Sequence, residues 1–384
     1  MKKGLEKELK KIQNDLKGVY GLEITTTEAC NFNCRYCFER NHKPEPIKLT
    51  KEIVIKRVNE LLNSQWFQDH HCGIKIILWG GEPTLNRNLC ISLMEEFKDN
   101  EKICFFVYTN GSTTYEMMPT YKKLKNKPFI KEGQSKLTVQ VSYDGNPLHD
   151  KNRVDKNGNA TSDLIYEAIA FLHQHGIDYG LKATMSWDDY KHLPEAWDDF
   201  RFLHTQFGSK IRYALTVDYY NVQFNKYRDE VEKALIKVAE KEIKFYKKYK
   251  YFLSNIFRHN RSICATGKSM AVVNTNGDVF NCHGSIYSKC SEDFKYGSIF
   301  DDNFINSIER RYNLYKDNDI EPEECKECIA TSCLRCNVKK YEESNKETHL
   351  ERWFDYPAQK DLCGYYKLVG KISAAMGSII KENK

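Results

Sequence analysis

An α/β fold built on a parallel sheet is the class that this 384-residue sequence predicts. Six short runs rich in β-branched and aromatic residues recur as far as Val217, and helical runs separate them. Near-continuous apolar strands alternating with helices give a parallel sheet with helices packed outside it. In order, strands are expected over Tyr20–Thr26, Ile74–Trp79, Ile103–Thr109, Leu137–Tyr143, Tyr179–Met185 and Ile211–Val217. Helices are expected over about Lys51–Ser64, Leu89–Lys98, Thr113–Leu124, Ser162–His175 and Leu193–Phe207. Six such units are too few for a full eightfold barrel. Beyond Val217 the alternation stops. Residues 223–258 read as one long charged helix with a break near Tyr251, and then cysteines return. The expected organisation is a helical segment over 1–18, an α/β domain over 19–220, a helical linker over 221–262, a cysteine-rich domain over 263–370 and a tail or helix over 371–384.

Composition narrows the class. The 41% hydrophobic content supports a large core, and the net charge of +6 is too mild to argue for nucleic acid. Lys244 to Lys250 have the interleaving of a solvated helix face. The charged opening Met1-Lys-Lys-Gly-Leu-Glu6 is no secretory signal, and no apolar run approaches the ~18 residues that span a bilayer. The expectation is a cytoplasmic protein with no membrane or nucleic-acid partner. Fourteen cysteines in such a chain point to metal or redox chemistry rather than to a disulfide framework.

The most informative motif is Cys30-x3-Cys34-x2-Cys37, which follows the first strand on a loop. Three thiolates crowded onto one loop suit a metal cluster. A zinc site or three buried thiols is the competing reading, although zinc prefers four ligands. A 4Fe–4S cluster normally takes four thiolates, so three leave one iron open. The spacing, with aromatic Tyr36 before the third Cys, resembles the radical S-adenosylmethionine (radical SAM) family. The resemblance implies a partial (β/α)6 barrel. It also implies that the open iron is chelated by SAM, whose reductive cleavage yields a 5′-deoxyadenosyl radical that takes hydrogen from a substrate. The electron donor is then of flavodoxin or ferredoxin type.

Further positions match that family. Trp79-Gly80-Gly81-Glu82 ends the second strand; glycines permit close backbone approach, and Glu82 offers an acceptor for an ammonium. It looks like the GGE motif that binds the amino group of SAM. Ser142 and Asp144 end the fourth strand, two apart and so on one face. The resemblance gives them the ribose hydroxyls, gives Arg153 the SAM carboxylate, places Asn110 near the adenosyl group and makes Tyr36 a shield for cluster and adenine. For Asn110, Asp144 and Arg153, loop capping is an equal alternative.

The downstream pattern is Cys264-x12-Gly277-x4-Cys282, then Cys325-x2-Cys328-x4-Cys333-x2-Cys336, then Cys363. It resembles the SPASM extension of radical SAM peptide-modifying enzymes, which holds two auxiliary 4Fe–4S clusters. Carried over by residue, Cys264, Cys282 and Cys336 serve the first, and Cys325, Cys328, Cys333 and Cys363 the second. The last two gaps of the four-Cys group are one residue shorter than is usual in that family, so the split of Cys333 and Cys336 stays open. The alternative is a zinc ribbon. The total implied is three 4Fe–4S clusters plus SAM. The first auxiliary cluster lacks a fourth cysteine, with Cys290 as a candidate. Cys72, Cys90 and Cys104 read as buried small hydrophobes. Asn276-Gly277 reads as the turn of a hairpin within Ser269–Phe280.

The resemblance implies modification of a peptide or protein side chain: maturation, cross-linking or oxidation. Formylglycine formation of the anaerobic sulfatase-maturating type is one alternative; there an Asp follows the second SPASM Cys, whereas here His283 does. His283 is therefore the candidate catalytic base. Only 29 residues precede Cys30, so leader recognition is expected from the core or from a separate leader-binding protein. A small-molecule radical SAM dehydrogenase and a zinc-binding nucleic-acid module are the readings from other classes.

Overall fold

A computed structural model describes residues 17–41, 46–208, 211–219, 221–257, 267–318, 323–330, 333 and 360–382. Its centre is one nine-stranded sheet. Strands β1 (Gly18–Thr27), β2 (His71–Gly80), β3 (Ile103–Thr109), β4 (Leu137–Ser142), β5 (Asp178–Met185) and β6 (Tyr213–Val217) lie side by side in chain order, all parallel. A helical crossover connects each strand to the next. This is the expected α/β arrangement with a parallel sheet at its core. The interior reads Leu22, Ile24, Ile74, Ile76, Val107, Val139 and Val141, all fully buried.

Helix positions follow from local chemistry. Thr50 caps helix Lys51–Asn63 by accepting from the Ile53 amide at 3.4 Å, and Val54, Val58 and Leu61 form its buried stripe. Asn86 caps helix Arg87–Phe97 through the Leu89 amide. The long helix runs Phe224–Tyr249, shorter than the expected 223–258. It ends where Lys250 takes a left-handed conformation with φ of 64°.

The downstream region does not form a separate layer. Strand β7 (Met270–Val273) pairs parallel with β1, on the edge opposite β2. Strand β8 (Asp278–Phe280) then pairs antiparallel with β7, and β9 (Lys295–Ser298) with β8. The chain turns between β7 and β8 at the expected Asn276-Gly277, with Gly277 at φ of 95°. A bare β1 edge would expose unpaired amides and carbonyls, and this hairpin covers it. Arg57 binds the two regions further, donating to the carbonyls of Ile299 and Asp301, both at 2.7 Å.

The C-terminal helix is continuous over Lys360–Glu382, so it starts well before the expected boundary at 371. It lies on helix Phe224–Tyr249 and on the turn at Trp187–His192. There Tyr190 donates to Tyr365 at 3.0 Å, and Trp187 and Phe224 pack on the Tyr365 ring. At the other end of the chain, the expected helix over 1–18 lies mostly outside the described residues, and Gly18 already belongs to β1. No helix among the described residues is long and apolar enough to cross a membrane.

Candidate active site

The C-terminal ends of β1 to β6 open onto one cavity of about 500 Å³, a size suited to a cofactor or small ligand. Cys30, Cys34 and Cys37 line it together, with Tyr36 among them. The loop that carries them is braced from several strands. Asn110, after β3, donates from Nδ2 to Asn31 at 2.8 Å and lies 3.9 Å from the Cys30 sulfur. The Arg35 and Asn33 amides donate to the carbonyls of Asn152 and Val154 at 2.8 Å. Burial pushes the Cys30 thiol up to about 12, and it also raises Cys34, against a lowering pull from Arg153.

Gly80 and Gly81 line the cavity, but they have a second task. A Cβ on Gly80, where φ is 140°, would overlap the Thr27 carbonyl oxygen. One on Gly81 would stand 2.6 Å from the Glu28 carbonyl oxygen. The amides of Gly81 and Glu82 stitch the end of β2 to the cysteine loop: Gly81 N donates to Thr27 O at 3.0 Å and Glu82 N to Ala29 O at 2.9 Å. The close approach these glycines permit is therefore to the cysteine loop's own backbone.

Glu82 is fully buried at the cavity wall. Its Oε1 accepts from the Thr84 amide at 3.2 Å, from the Thr84 hydroxyl and from the Thr109 hydroxyl at 2.9 Å. Its Oε2 accepts from the Asn110 amide at 2.6 Å. Burial pushes the carboxyl up, and these neutral donors pull it back. With one bond at Oε2 among the described residues, a second acceptor direction remains there.

Asp144 stands differently from its expected role. It is fully buried and does not line the cavity. Arg153 donates to it from Nε and Nη2 at 3.0 and 3.1 Å, the Thr184 amide at 2.8 Å, and the Tyr36 hydroxyl as well. These four bonds occupy the carboxylate, so the ribose role does not fit it. Arg153 itself borders the cavity, with its guanidinium 5.3 Å from the Tyr36 ring centre. Burial opposes the Arg153 charge, but Asp144, Tyr36 and Cys34 outweigh it and raise its pKa. His149 holds this assembly from behind. Its Nδ1 accepts from the Asp144 amide at 3.3 Å, its Nε2 meets Thr161 at 3.1 Å, and Thr161 donates to the Arg153 carbonyl at 2.6 Å. Ser142 lines the cavity, and no hydrogen bond from its hydroxyl to a described residue is formed.

His283 reaches the cavity from the start of helix His283–Ile286, with Cys282 at the N-cap. It stacks on Trp79 with ring centroids 4.3 Å apart, and its Nδ1 lies 3.2 Å from a carboxylate oxygen of Glu23. Glu23, buried inside β1, is a partner that motif reading missed. Lys182 on β5, Tyr108 on β3 and Glu39 were missed too, and the last three line the cavity. Burial pushes Glu39 up to about 8, against a hydrogen bond from Tyr287, with Glu28 and Glu23 adding to the rise. A charged residue inside an otherwise apolar parallel strand was the available signal for Glu23 and Lys182.

Residues 24–186 match the family model described as the Radical SAM superfamily. The chain carries a radical SAM domain. Members of that superfamily work with a 4Fe–4S cluster and SAM. An uncharacterized protein of Methanocaldococcus jannaschii is 27% identical over 180 residues, which cover 46% of this chain and 57% of that protein. The radical SAM cyclopropyl synthase TigE of Paramaledivibacter caminithermalis is 23% identical over 84% of this chain and 69% of its own length. The first of these relatives is thus matched over little more than half its length. Among solved structures, histidine-tagged anSMEcpe with bound AdoMet superposes with a TM-score of 0.71 at 19% identity, covering 95% of this chain and 96% of that one. Streptococcus suis SuiB bound to precursor peptide SuiA gives 0.57 at 14%, covering 94% and 79%. At these identities the likeness is one of fold, and it extends past the radical SAM domain into the C-terminal region.

The donor set fits a cluster held through three thiols. Burial disfavours the Cys30 thiolate, and a positively charged metal centre beside it would offset that cost. No three His, Cys, Asp or Glu side chains among the described residues gather to hold a single metal ion.

For the downstream cysteines, Cys264 and Cys336 lie outside the described residues. Cys325, Cys328, Cys333 and Cys363 are partly buried and in no disulfide. Gly370 packs against the Ile329 backbone, and Cys363 sits seven residues earlier on the same helix face. Cys282 and Cys290 share one small buried cluster with Phe280 and Ile286. Cys72, Cys90 and Cys104 are buried in the core.

Proposed function

We propose that this protein is a radical SAM enzyme of SPASM type that modifies a peptide or protein side chain. The observation that carries the reading is the meeting of Cys30, Cys34 and Cys37 with Glu82 and Ser142 around one cavity at the strand ends. A 4Fe–4S cluster and SAM, when bound, supply one-electron cleavage of the sulfonium and a 5′-deoxyadenosyl radical for hydrogen abstraction. The chain's own residues do the rest. Cys30, Cys34 and Cys37 hold three irons. Glu82 Oε2 receives the amino group of SAM. Ser142 supplies a hydroxyl, and Tyr36 with Asn110 closes the side of the ligand. His283, held by Glu23 and stacked on Trp79, stands on the substrate side as the candidate base. A flavodoxin or ferredoxin supplies the electron.

Two auxiliary 4Fe–4S clusters belong to the same reading, the second on Cys325, Cys328, Cys333 and Cys363, and the first on Cys264, Cys282 and Cys336, with Cys290 beside Cys282. The peptide substrate is supported by the peptide-bound relatives of like fold: anSMEcpe has been solved with the Kp18Cys peptide and SuiB with SuiA. Two measurements test the proposal. The anaerobically reconstituted enzyme should form 5′-deoxyadenosine under dithionite, and the Cys30, Cys34, Cys37 triple Ala variant should form none; turnover by that variant overturns the cluster assignment. Co-expression with short peptides encoded beside the gene should give a cysteine-dependent mass change. Conversion of a free alcohol or sugar without peptide would instead favour the dehydrogenase reading.

A further inference from the structure

The cavity has two cationic side chains on its β4–β5 side, and they are not equivalent. Arg153 is bound twice to Asp144. Lys182 is bound to nothing: among the described residues its ammonium makes no hydrogen bond and no ion pair. Its Nζ lies over the face of Tyr108, 5.4 Å from the ring centre, and the buried Glu23 carboxylate is close enough to act on its charge. Lys182 is half-buried and lines the cavity. Its backbone partner across the sheet is Ser142, whose hydroxyl also faces the cavity without a described partner. Neighbouring strands lie about 4.8 Å apart, so the two side chains rise from adjacent backbone positions onto one wall of the cavity. A half-buried cation with no bonded anion is costly, and a wall lined by an ammonium and a hydroxyl suits the oxygens of a carboxylate.

We propose that Lys182, together with Ser142, receives a carboxylate of the bound ligands, and that Arg153 serves chiefly to anchor Asp144 and Tyr36. Burial first, and the Arg153 charge second, push the Lys182 ammonium down to about 8, while Glu23 pulls it back up. A docked carboxylate relieves that strain on the charge. Two ligands of the proposed reaction carry a carboxylate: SAM itself, and an acidic residue of a peptide. The inference rests on the function proposed above.

The test uses the full-length reconstituted enzyme, its Lys182→Met and Lys182→Arg variants and two probe pairs. Calorimetric titration compares SAM with decarboxylated SAM. Equilibrium dialysis against the SAM-loaded enzyme compares N-acetylglutamate N-methylamide with its glutamine counterpart. If SAM supplies the carboxylate, Lys182→Met weakens SAM at least tenfold, Lys182→Arg much less, and decarboxylated SAM binds wild type and Lys182→Met alike. If the peptide supplies it, SAM affinity is unchanged, and wild type prefers the glutamyl probe at least tenfold, a preference that Lys182→Met abolishes. Equal binding of all four probes by wild type and Lys182→Met overturns the inference. Iron content and thermal midpoint check that the variants are folded. A wild-type enzyme that forms no 5′-deoxyadenosine sinks the functional reading itself, whereas one that forms it without discrimination at Lys182 sinks this inference alone.

Discussion

Two fully buried carboxylates stand at the strand ends, Glu82 on the cavity wall and Asp144 behind it. Glu82, between β2 and β3, is held by two hydroxyls and two amides, all neutral. Asp144, between β4 and β5, is held by a guanidinium, an amide and a phenol. Neutral donors leave the negative charge of Glu82 available to an incoming ammonium. The guanidinium cancels that of Asp144 and turns it into scaffold. Residue type and strand-end position are therefore not enough to assign a ligand contact; the partner's charge decides.

The sharpest way to break the comparison is to remove Asp144. Asp144→Ala leaves Arg153 buried without its counter-charge and should destabilise the protein by about 3–5 kcal/mol. The double variant Asp144→Leu with Arg153→Met should recover most of that loss. Thermal denaturation measures both, and a loss below about 1 kcal/mol would show that Asp144 is no anchor.

Acid should weaken the β4–β5 side next. Burial holds His149 down at about 4, against its ordinary 6.5. The folded state then binds fewer protons than the unfolded one between these values. Stability from this group is complete above pH ~6.5 and falls by roughly 3 kcal/mol as pH drops through ~4. His71, also held at about 4 by burial and by His70, acts in the same sense elsewhere. Denaturation midpoints between pH 7 and 4 should slope less for His149→Gln than for wild type; parallel curves would remove His149 from this account.

On the β2–β3 side the expected change is in binding. Glu82→Gln keeps the shape and loses a charge-assisted bond of about 1.5–3 kcal/mol, so SAM affinity should fall by about ten- to a hundredfold. An unchanged dissociation constant would make Glu82 as purely structural as Asp144. The smallest effect belongs to Ser142→Ala. With no described hydrogen bond to lose, stability should move by less than about 0.5 kcal/mol, while SAM or substrate affinity should fall by roughly two- to tenfold.

Much of the sheet was legible because its strands are short apolar runs rich in β-branched and aromatic residues, two of them closed by turn formers at Gly80 and Asn110. Ile103–Thr109 was read to the residue. The three-cysteine loop was legible from spacing alone, since its ligands are local in sequence. Long-range pairing was not. Nothing near Asp144 announces that Arg153, nine residues on, will occupy it, because that bond depends on the short helix Leu148–Asn152 bringing its C-cap residue Arg153 back to the strand end. Glu23 meets His283 across 260 positions, so no window of sequence contains both. The parallel pairing of β7 with β1 was hidden for the same reason, as the loss of alternation after Val217 suggested a detached region.

That pairing also sets a timetable for the growing chain. Ile24 leaves the ribosome early, yet its edge partner Val273 is made roughly 250 residues later, about 12–50 s at ordinary elongation rates. Throughout that interval the β1 edge is a strand without a neighbour, open to pairing with another nascent chain. Protein yield should therefore depend on how quickly the ribosome traverses the middle of the message, and chains ending before Met270 should aggregate even though they contain all six consecutive parallel strands.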